Sequence, residues 1–309
     1  MRKIVIDCDP GIDDAMAIIM AHRHPAVKIE ALTSVCGNVS LERTTANVLR
    51  ILDVLAAESI PVFAGARSAL VEPGEDASYV HGADGLGGVD LPDSERVVEN
   101  DHAAVALARL AKNRPGELSL IAMGPLTNLA LALRLDPNLP AYYDRLVIMG
   151  GAHYGQGNTS NTPAEFNIFA DPDAASVVFD NWPKLTMISW EATLSHGLPV
   201  NDFKALMALD NPRSRFLKQA TKGLLAFMEE KFNSEMSYAA DPLAMAVMLE
   251  PEIVKKSTPK YVRVERYGRL SRGMTVVDWW GNTGRPANVD IVLEVDQERF
   301  FDLLHSAFS

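Results

Sequence analysis

The chain has 309 residues, with 40 Asp and Glu against 29 Lys and Arg, which leaves a formal net charge of −11. That balance, with a sequence pI near 5.1, argues against a nucleic-acid partner, because a phosphate backbone needs a basic face and no basic cluster stands out. Apolar residues at 48% and charged residues at 22% are ordinary globular usage, so a sizeable core is available and disorder is not expected.

The chain opens with Arg2 and Lys3 and a strand-like run over residues 3–8 that stops against Asp7 and Asp9, which is not a secretory signal. A helix-like stretch over 13–24, a strand over 28–35 and a helix over 41–58 follow. This βαβα alternation predicts a parallel sheet. It continues with a strand at 61–64, a helix over 101–113, a strand at 118–123, a helix over 126–135 and a strand at 145–149. Strands apolar on both faces belong inside a helix-covered sheet. Two stretches break the pattern, 71–96 and 150–163, both rich in Gly, and loops of that length are commonly functional. Beyond Pro199 the chain reads as mostly helical to about Leu249, then strand-like at 261–264, 274–278 and 289–295. With no repeat and no linker, the expected fold class is α/β: a single domain with a mostly parallel central sheet, helices on both faces and a helical C-terminal portion. No apolar run approaches the roughly 20 residues of a membrane span. The only cysteines, Cys8 and Cys36, read as buried strand ends without metal or disulfide spacing, so a cytoplasmic protein with no membrane partner is expected.

The strongest local signal is Asp7-Cys8-Asp9-Pro10-Gly11-Ile12-Asp13-Asp14, with four carboxylates in eight residues at the carboxyl end of the first strand. In open α/β sheets ligands sit at that edge. Asp7 and Asp9 point to the same side of the strand, and Pro10-Gly11 turns the chain to put Asp13 and Asp14 in the first turn of a helix. Capping explains one such acid but not the set. Crowded carboxylates repel, and burial would raise their pKa values until some bound protons. A cation resolves this. With carboxylate oxygens as the donors and no His close in sequence, the ion is expected to be hard, Ca²⁺ or Mg²⁺ rather than Zn²⁺.

Asp-x-Asp-Pro-Gly-x-Asp-Asp resembles the opening signature of the inosine-uridine-preferring nucleoside hydrolases. In the same order follow Cys36-Gly37-Asn38, His81-Gly82-x-x-Gly85-Leu86-Gly87, Gly124-Pro125-Leu126-Thr127-Asn128, Ala164-Glu165-Phe166-Asn167 and Asp241-Pro242-Leu243-Ala244. The resemblance implies hydrolysis of the N-glycosidic bond of ribonucleosides to ribose and free base, with a bound Ca²⁺. By the same resemblance the protein ligands would be Asp9, Asp14, the backbone carbonyl of Met123 and Asp241, with Asp7 behind them. Asp9 would be the general base that activates a Ca²⁺-bound water. Asp13, Asn38, Glu165 and Asn167 match family positions for the sugar hydroxyls, although alone Asn38 reads as a turn former and Glu165 as a surface acid. The resemblance also implies a homodimer or homotetramer.

Two features depart from the family pattern. Where a histidine precedes the second metal aspartate in the best-known branch, this chain has Ala240, which has no proton to give a departing base. Tyr238, His81, Trp190 or another aromatic near the pocket could protonate the base or stack on it, and His81 lies in a Gly-rich stretch suited to a lid. The run 157–163 is one residue longer than usual, so Asn158 or Asn161 would meet the ribose 5′ end, with Asn158 preferred because it keeps the Gly-Asn pair. Of Trp279 and Trp280, at most one would face a ligand, and core or interface packing is the plainer reading. Two other readings carry weight: a haloacid-dehalogenase-like phosphatase, which shares an opening Asp-x-Asp but wants a Gly-Thr and a downstream Lys, and a calcium-dependent nucleoside- or sugar-binding protein without turnover.

Overall fold

A computed structural model describes residues 1–232 and 236–309, and for 226–232 the backbone alone. In chain order the first elements are β1 (Arg2–Cys8), α1 (Ile12–Arg23), β2 (Val27–Ser34), α2 (Leu41–Val54) and β3 (Val62–Ala64). A long loop holding the one-turn α3 (Ser78–His81) leads to α4 (Ala103–Asn113), β4 (Leu118–Ala122), α5 (Thr127–Leu135), α6 (Leu139–Tyr142) and β5 (Tyr143–Met149). A second loop leads to α7 (Phe166–Ala170), α8 (Pro172–Asn181), β6 (Leu185–Ile188) and α9 (Trp190–Ser195). Next come β7 (Leu198–Pro199), α10 (Val200–Met207), α11 (Pro212–Phe232), β8 (Met236–Ser237) and α12 (Ala240–Leu249). The chain closes with β9 (Val254–Val264), β10 (Thr275–Asp278), β11 (Val289–Val295) and α13 (Gln297–Phe308).

One sheet has the order β10-β9-β11-β6-β5-β4-β1-β2-β3, parallel from β11 to β3, with β9 and β10 added antiparallel at one end. β7 and β8 form a separate antiparallel pair. Alternation along β1 sends Ile4, Ile6 and Cys8 to the core built with α1, α12 and α13, and Val5 to the core built with α4, α5 and α8. The fold is therefore the expected α/β sandwich of helices around a mostly parallel sheet.

Departures from the sequence reading have local causes. The predicted helix to residue 58 ends at Val54, and Ala56 takes a positive φ of 47° that turns the chain out of helix. β9 starts at Val254, well before residue 261, because its first half, Lys255-Lys256-Ser257, lies on an exposed antiparallel strand and lacks apolar character. β6 lay unread in the stretch before Pro199. The helical reading up to Leu249 is met by α10, α11 and α12, interrupted by β8, with residues 233–235 outside the described part. Cys8 is buried at the end of β1, but Cys36 lies beyond β2 in a turn and is only half-buried, and both thiols are free.

Helix α12 is buried along its whole length, as a helix apolar on every side must be. It packs on α1 and β5, and its amino end carries Asp241. At the other end the Arg2 guanidinium donates to the carbonyl oxygens of Met248 and Leu249 at 2.7 and 2.8 Å, which occupies acceptors that the helix terminus leaves unpaired. Arg2 thereby fastens α12 to the first residue of β1. Replacing it by Met is expected to cost about 1–2 kcal/mol in urea-induced unfolding, the worth of a charged donor to part-buried acceptors; an unchanged midpoint would contradict this.

Candidate active site

The chain runs from β1 to β2 and β3 in one direction across the sheet, then returns to place β4, β5 and β6 on the other side of β1. Loops leaving the carboxyl ends of β1 and β4 therefore diverge and open a crevice. The acidic segment after β1 and Met123 after β4 both stand at that crevice.

Asp7, the next-to-last residue of β1, is fully buried. Its Oδ1 accepts from Thr33 Oγ1 at 2.5 Å and Asn128 Nδ2 at 2.8 Å, while Oδ2 is buried with no hydrogen-bond partner. Burial raises its pKa to about 7 despite those two bonds. Asp9 accepts from the Asn38 N–H at 2.7 Å through Oδ2, and its Oδ1 is buried and unpartnered. A Cβ on Gly37 would stand 2.0 Å from Asp9 Oδ2 and one on Gly124 2.7 Å from Oδ1. Only glycine on both sides leaves room for this carboxylate. Burial, and then the charge of Asp14, push Asp9 well above the usual carboxylate range.

Asp14 does cap its helix: its Oδ2 accepts from Gly11 N–H at 2.9 Å and its Oδ1 from Asp9 N–H at 3.3 Å. It also faces the cluster, because one carboxylate oxygen from each of Asp13, Asp14 and Asp241 lies within 4.8 Å of the others. Burial first and the charge of Asp13 second raise Asp14 to about 8. Asp241 is raised by burial and by the charges of Asp13, Asp14 and Asp9. Asp14 and Asp241 both occupy first turns, so the positive ends of α1 and α12 meet here and offset part of the repulsion.

Asn38 Nδ2 donates to the Asp9 carbonyl at 3.1 Å and to Asp14 Oδ2 at 3.4 Å, so this residue shapes its turn while facing the cleft. Glu165 is buried rather than a surface acid: its carboxylate accepts from the N–H groups of Gly151, Asn167 and Ile168, capping α7, and burial raises its pKa to about 7. Asn167 Nδ2 donates to the carbonyl oxygens of Met123 and Met149 at 2.7 and 3.1 Å. The carbonyl proposed as a ligand is thus held by a neighbouring amide and keeps one lone pair.

His81 closes α3 and is nearly buried, not solvated. Its Nδ1 accepts from the Ile12 N–H at 3.2 Å, which in the neutral ring puts the proton on Nε2, and burial lowers its pKa against the pull of Asp13. Asn158 lines the cleft and holds Phe166 N–H at 2.9 Å through Oδ1, whereas Asn161 turns away to donate to the Arg272 carbonyl. Trp190, Tyr238 and Ala240 also line the cleft, and the Trp190 and Tyr238 ring centres are 6.4 Å apart. Neither Trp279 nor Trp280 does: both lie in the turn after β10, Trp279 stacked on Tyr154 at 4.9 Å and Trp280 exposed to solvent. Sequence reasoning gave no role to Tyr79, Phe166 and Leu224, which line the cleft, or to Thr33 and Asn128, which hold Asp7. Of these, Asn128 and Phe166 had a signal, as members of the Gly124 and Ala164 motifs.

The cleft spans about 900 Å³ of atom-free space, the open solvent at its mouth included, and is concave as small-molecule sites are. Among the described residues, no Lys or Arg lines it, so the phosphatase reading, which needs a cation against phosphate, finds no support. The residues fit a divalent cation. Asp9 Oδ1 and Asp7 Oδ2 are buried acceptors without donors, the acids around them are pushed toward protonation, and the donor set is all oxygen, as hard ions require. Among the described residues no helix is long and apolar enough to cross a membrane.

Residues 4–302 match the family model described as inosine-uridine preferring nucleoside hydrolase. The pyrimidine-specific ribonucleoside hydrolase RihA of Salmonella arizonae is 38% identical over 303 residues, covering 97% of this chain and 96% of that protein. A solved inosine-guanosine nucleoside hydrolase superposes with a TM-score of 0.92 at 34% identity, covering 99% and 98% of the two chains. A plant nucleoside hydrolase does so with a TM-score of 0.91 at 32% identity over the same shares.

The acid cluster sets a test that needs no substrate. Asp7 and Asp14 have folded-state pKa values of about 7 and about 8, above the roughly 4 of an unfolded chain. The metal-free folded protein therefore binds more protons than the unfolded chain between those limits, and this stability is lost as pH rises. In chelator, the melting temperature is expected to fall from pH 5 to about 8, and calcium is expected to restore it most at the upper end. A chelated protein that grew more stable over that range would contradict the charge balance described.

Proposed function

The chain belongs to the inosine-uridine preferring nucleoside hydrolases, hydrolases of N-glycosyl bonds, and from that premise we propose that Asp9 is the general base of a Ca²⁺-dependent cleavage of ribonucleosides to ribose and free base. The observation that carries this reading is Asp9 Oδ1: an acceptor with no donor, inside a buried carboxylate held between two glycines. Such an oxygen is free to take a proton from an attacking water.

Asp14, Asp241, Asp9 and the Met123 carbonyl would hold the ion, and Asp7, fixed by Thr33 and Asn128, keeps the strand end in shape. When bound, Ca²⁺ supplies Lewis-acid charge and accepts oxygen ligands in flexible number, a sugar diol included. Cleavage of an N-glycosidic bond builds positive charge on the ribose ring, and a floor of carboxylates with no lining Lys or Arg among the described residues favours that charge. Asp13, Asn38, Glu165 and Asn167 present acceptors and amides suited to the ribose hydroxyls. Asn158, whose Oδ1 is occupied by the Phe166 N–H, offers its Nδ2 to the 5′ end.

The base would lie against Trp190, Tyr238 and Leu224. Ala240 stands in this wall with no proton to donate, whereas Tyr79, His81 and Tyr238, also in the lining, carry one on a phenol or an imidazole. Relatives are named for different bases, pyrimidine-specific in one case and inosine-guanosine in another, so the base is a question for a substrate panel.

Asp9→Asn is expected to lower turnover by roughly 10²- to 10⁴-fold, the span of a general base, with the fold intact by circular dichroism. Near-normal turnover would remove Asp9 from the role. A panel of inosine, uridine, cytidine, adenosine and their 2′-deoxy forms, scored for free sugar with and without chelator, is expected to give release that needs both calcium and the 2′ hydroxyl. Tight binding of nucleosides without release of sugar would instead favour a binding protein, the reading that Ala240 leaves open.

A further inference from the structure

Glu191 has no part in the acid cluster, yet it is a buried anion with an unusual set of partners. It follows Trp190 in the first turn of α9, and only 7% of it is exposed. Its Oε1 accepts from the N–H groups of Tyr154 at 2.7 Å and Gln156 at 3.1 Å, and its Oε2 from the His153 N–H at 2.8 Å. The His153 ring Nδ1 lies 3.2 Å from the same Oε2 and 2.6 Å from Ser189 Oγ. Three main-chain donors within four residues curl around one carboxylate, a concave arrangement that backbone adopts around anions. Gly155 has φ +73°, the left-handed conformation that lets the curl close. Burial alone would raise the Glu191 pKa, but the His153 ring and these donors hold it below the usual value, so the group is an anion.

This curl is the start of the loop that carries Asn158. Directly after it, Gly157 N–H bonds the Thr162 carbonyl at 2.8 Å and Asn158 N–H the Ala164 carbonyl at 3.1 Å. A Cβ on Gly157 would stand 1.9 Å from the Ala164 oxygen, so no slack remains between the curl and Asn158. Upstream, Trp190 N–H bonds the Gly151 carbonyl at 2.9 Å. The first turn of α9 thus pins the loop with Glu191 while presenting Trp190 to the cleft.

We propose that Glu191 is a positioning residue for sugar recognition: its carboxylate shapes residues 153–156 and so sets how far Asn158 reaches into the cleft. This rests on the nucleoside hydrolase reading with Asn158 at the ribose 5′ end. Glu191→Gln keeps the volume but turns an amide N–H₂ toward main-chain donors, which opens the curl. Steady-state kinetics would use whichever of inosine and uridine the wild type cleaves faster, together with its 5′-deoxy counterpart. Expected for Glu191→Gln is a KM raised roughly tenfold on the parent nucleoside, the worth of about one hydrogen bond, with kcat nearly unchanged and no rise on the 5′-deoxy substrate. Asn158→Ala is expected to do the same, and the double variant to be no worse than Asn158→Ala alone. Glu191→Asp, which keeps the charge, is expected to recover part of the loss and replaces Glu191→Gln if the latter does not fold. Equal damage on both substrates, or additive losses in the double variant, would overturn the proposal and leave Glu191 a general stabiliser. A wild type that frees no sugar from any nucleoside would count against the assigned reaction instead. Calorimetry with ribose and 5-deoxyribose would then decide on Glu191, because an unchanged preference between the two sugars in Glu191→Gln overturns its role.

Discussion

Mutual repulsion among carboxylates taken out of water is the constraint around which this molecule is arranged. Asp7, Asp9, Asp14 and Asp241 are buried in one small region at the carboxyl edge of the sheet, with Asp13 half-buried beside them. Each would be costly there without compensation. The compensation comes from the backbone: N–H groups of Asp9, Gly11 and Asn38, the first turns of α1 and α12, and the glycines at 37 and 124 that let the chain close on Asp9. One oxygen each on Asp7 and Asp9 keeps no hydrogen-bond partner, and a cation held beside Asp9 would offset the charge that remains.

Compensation by amides and hydroxyls rather than by Lys or Arg has a chemical consequence. A guanidinium against Asp9 would satisfy the same oxygens but cancel the negative field that, in the proposed reaction, a developing ribosyl cation would use. Neutral donors stabilise the carboxylates locally and leave the net charge of the site in place. The same economy runs through the lining residues. Glu165 caps a helix and lines the cleft, Asp14 caps a helix and joins the acid cluster, and Asn167 holds a carbonyl of the proposed ligand set. Residues with two duties tie the geometry of the site to the folding of the elements beneath it. The stability of α12, fastened by Arg2 at its far end, thereby bears on where Asp241 stands.

Local spacing carried much of the site in the sequence. Asp7, Asp9, Asp13 and Asp14 were legible together because strand alternation, a Pro-Gly turn and a helix start act over a few residues. His81, Glu165 and Asn158 were visible only as motif members. Their burial, their tautomer or helix-capping state, and the choice of Asn158 over Asn161 depend on which loop packs against which. Trp279 and Trp280 show the converse, since prominent aromatics were carried by the fold to the turn after β10, away from the cleft. Glu191 had no signal at all, because its partners are main-chain N–H groups that every residue but proline possesses, and a histidine ring brought in from a distant loop.

The sequence by itself determined the α/β class, the parallel core of the sheet and the crowd of acids after β1, since periodicity and short-range turn chemistry are properties of neighbouring residues. Tertiary structure alone decided that Asp241, which the motif resemblance grouped with those acids, reaches them from the amino end of a wholly buried helix, that Cys36 is half-exposed, and that a carboxylate on α9 holds the loop bearing Asn158. Those outcomes rest on contacts between segments far apart along the chain, and on backbone groups whose direction exists only once the segments have packed.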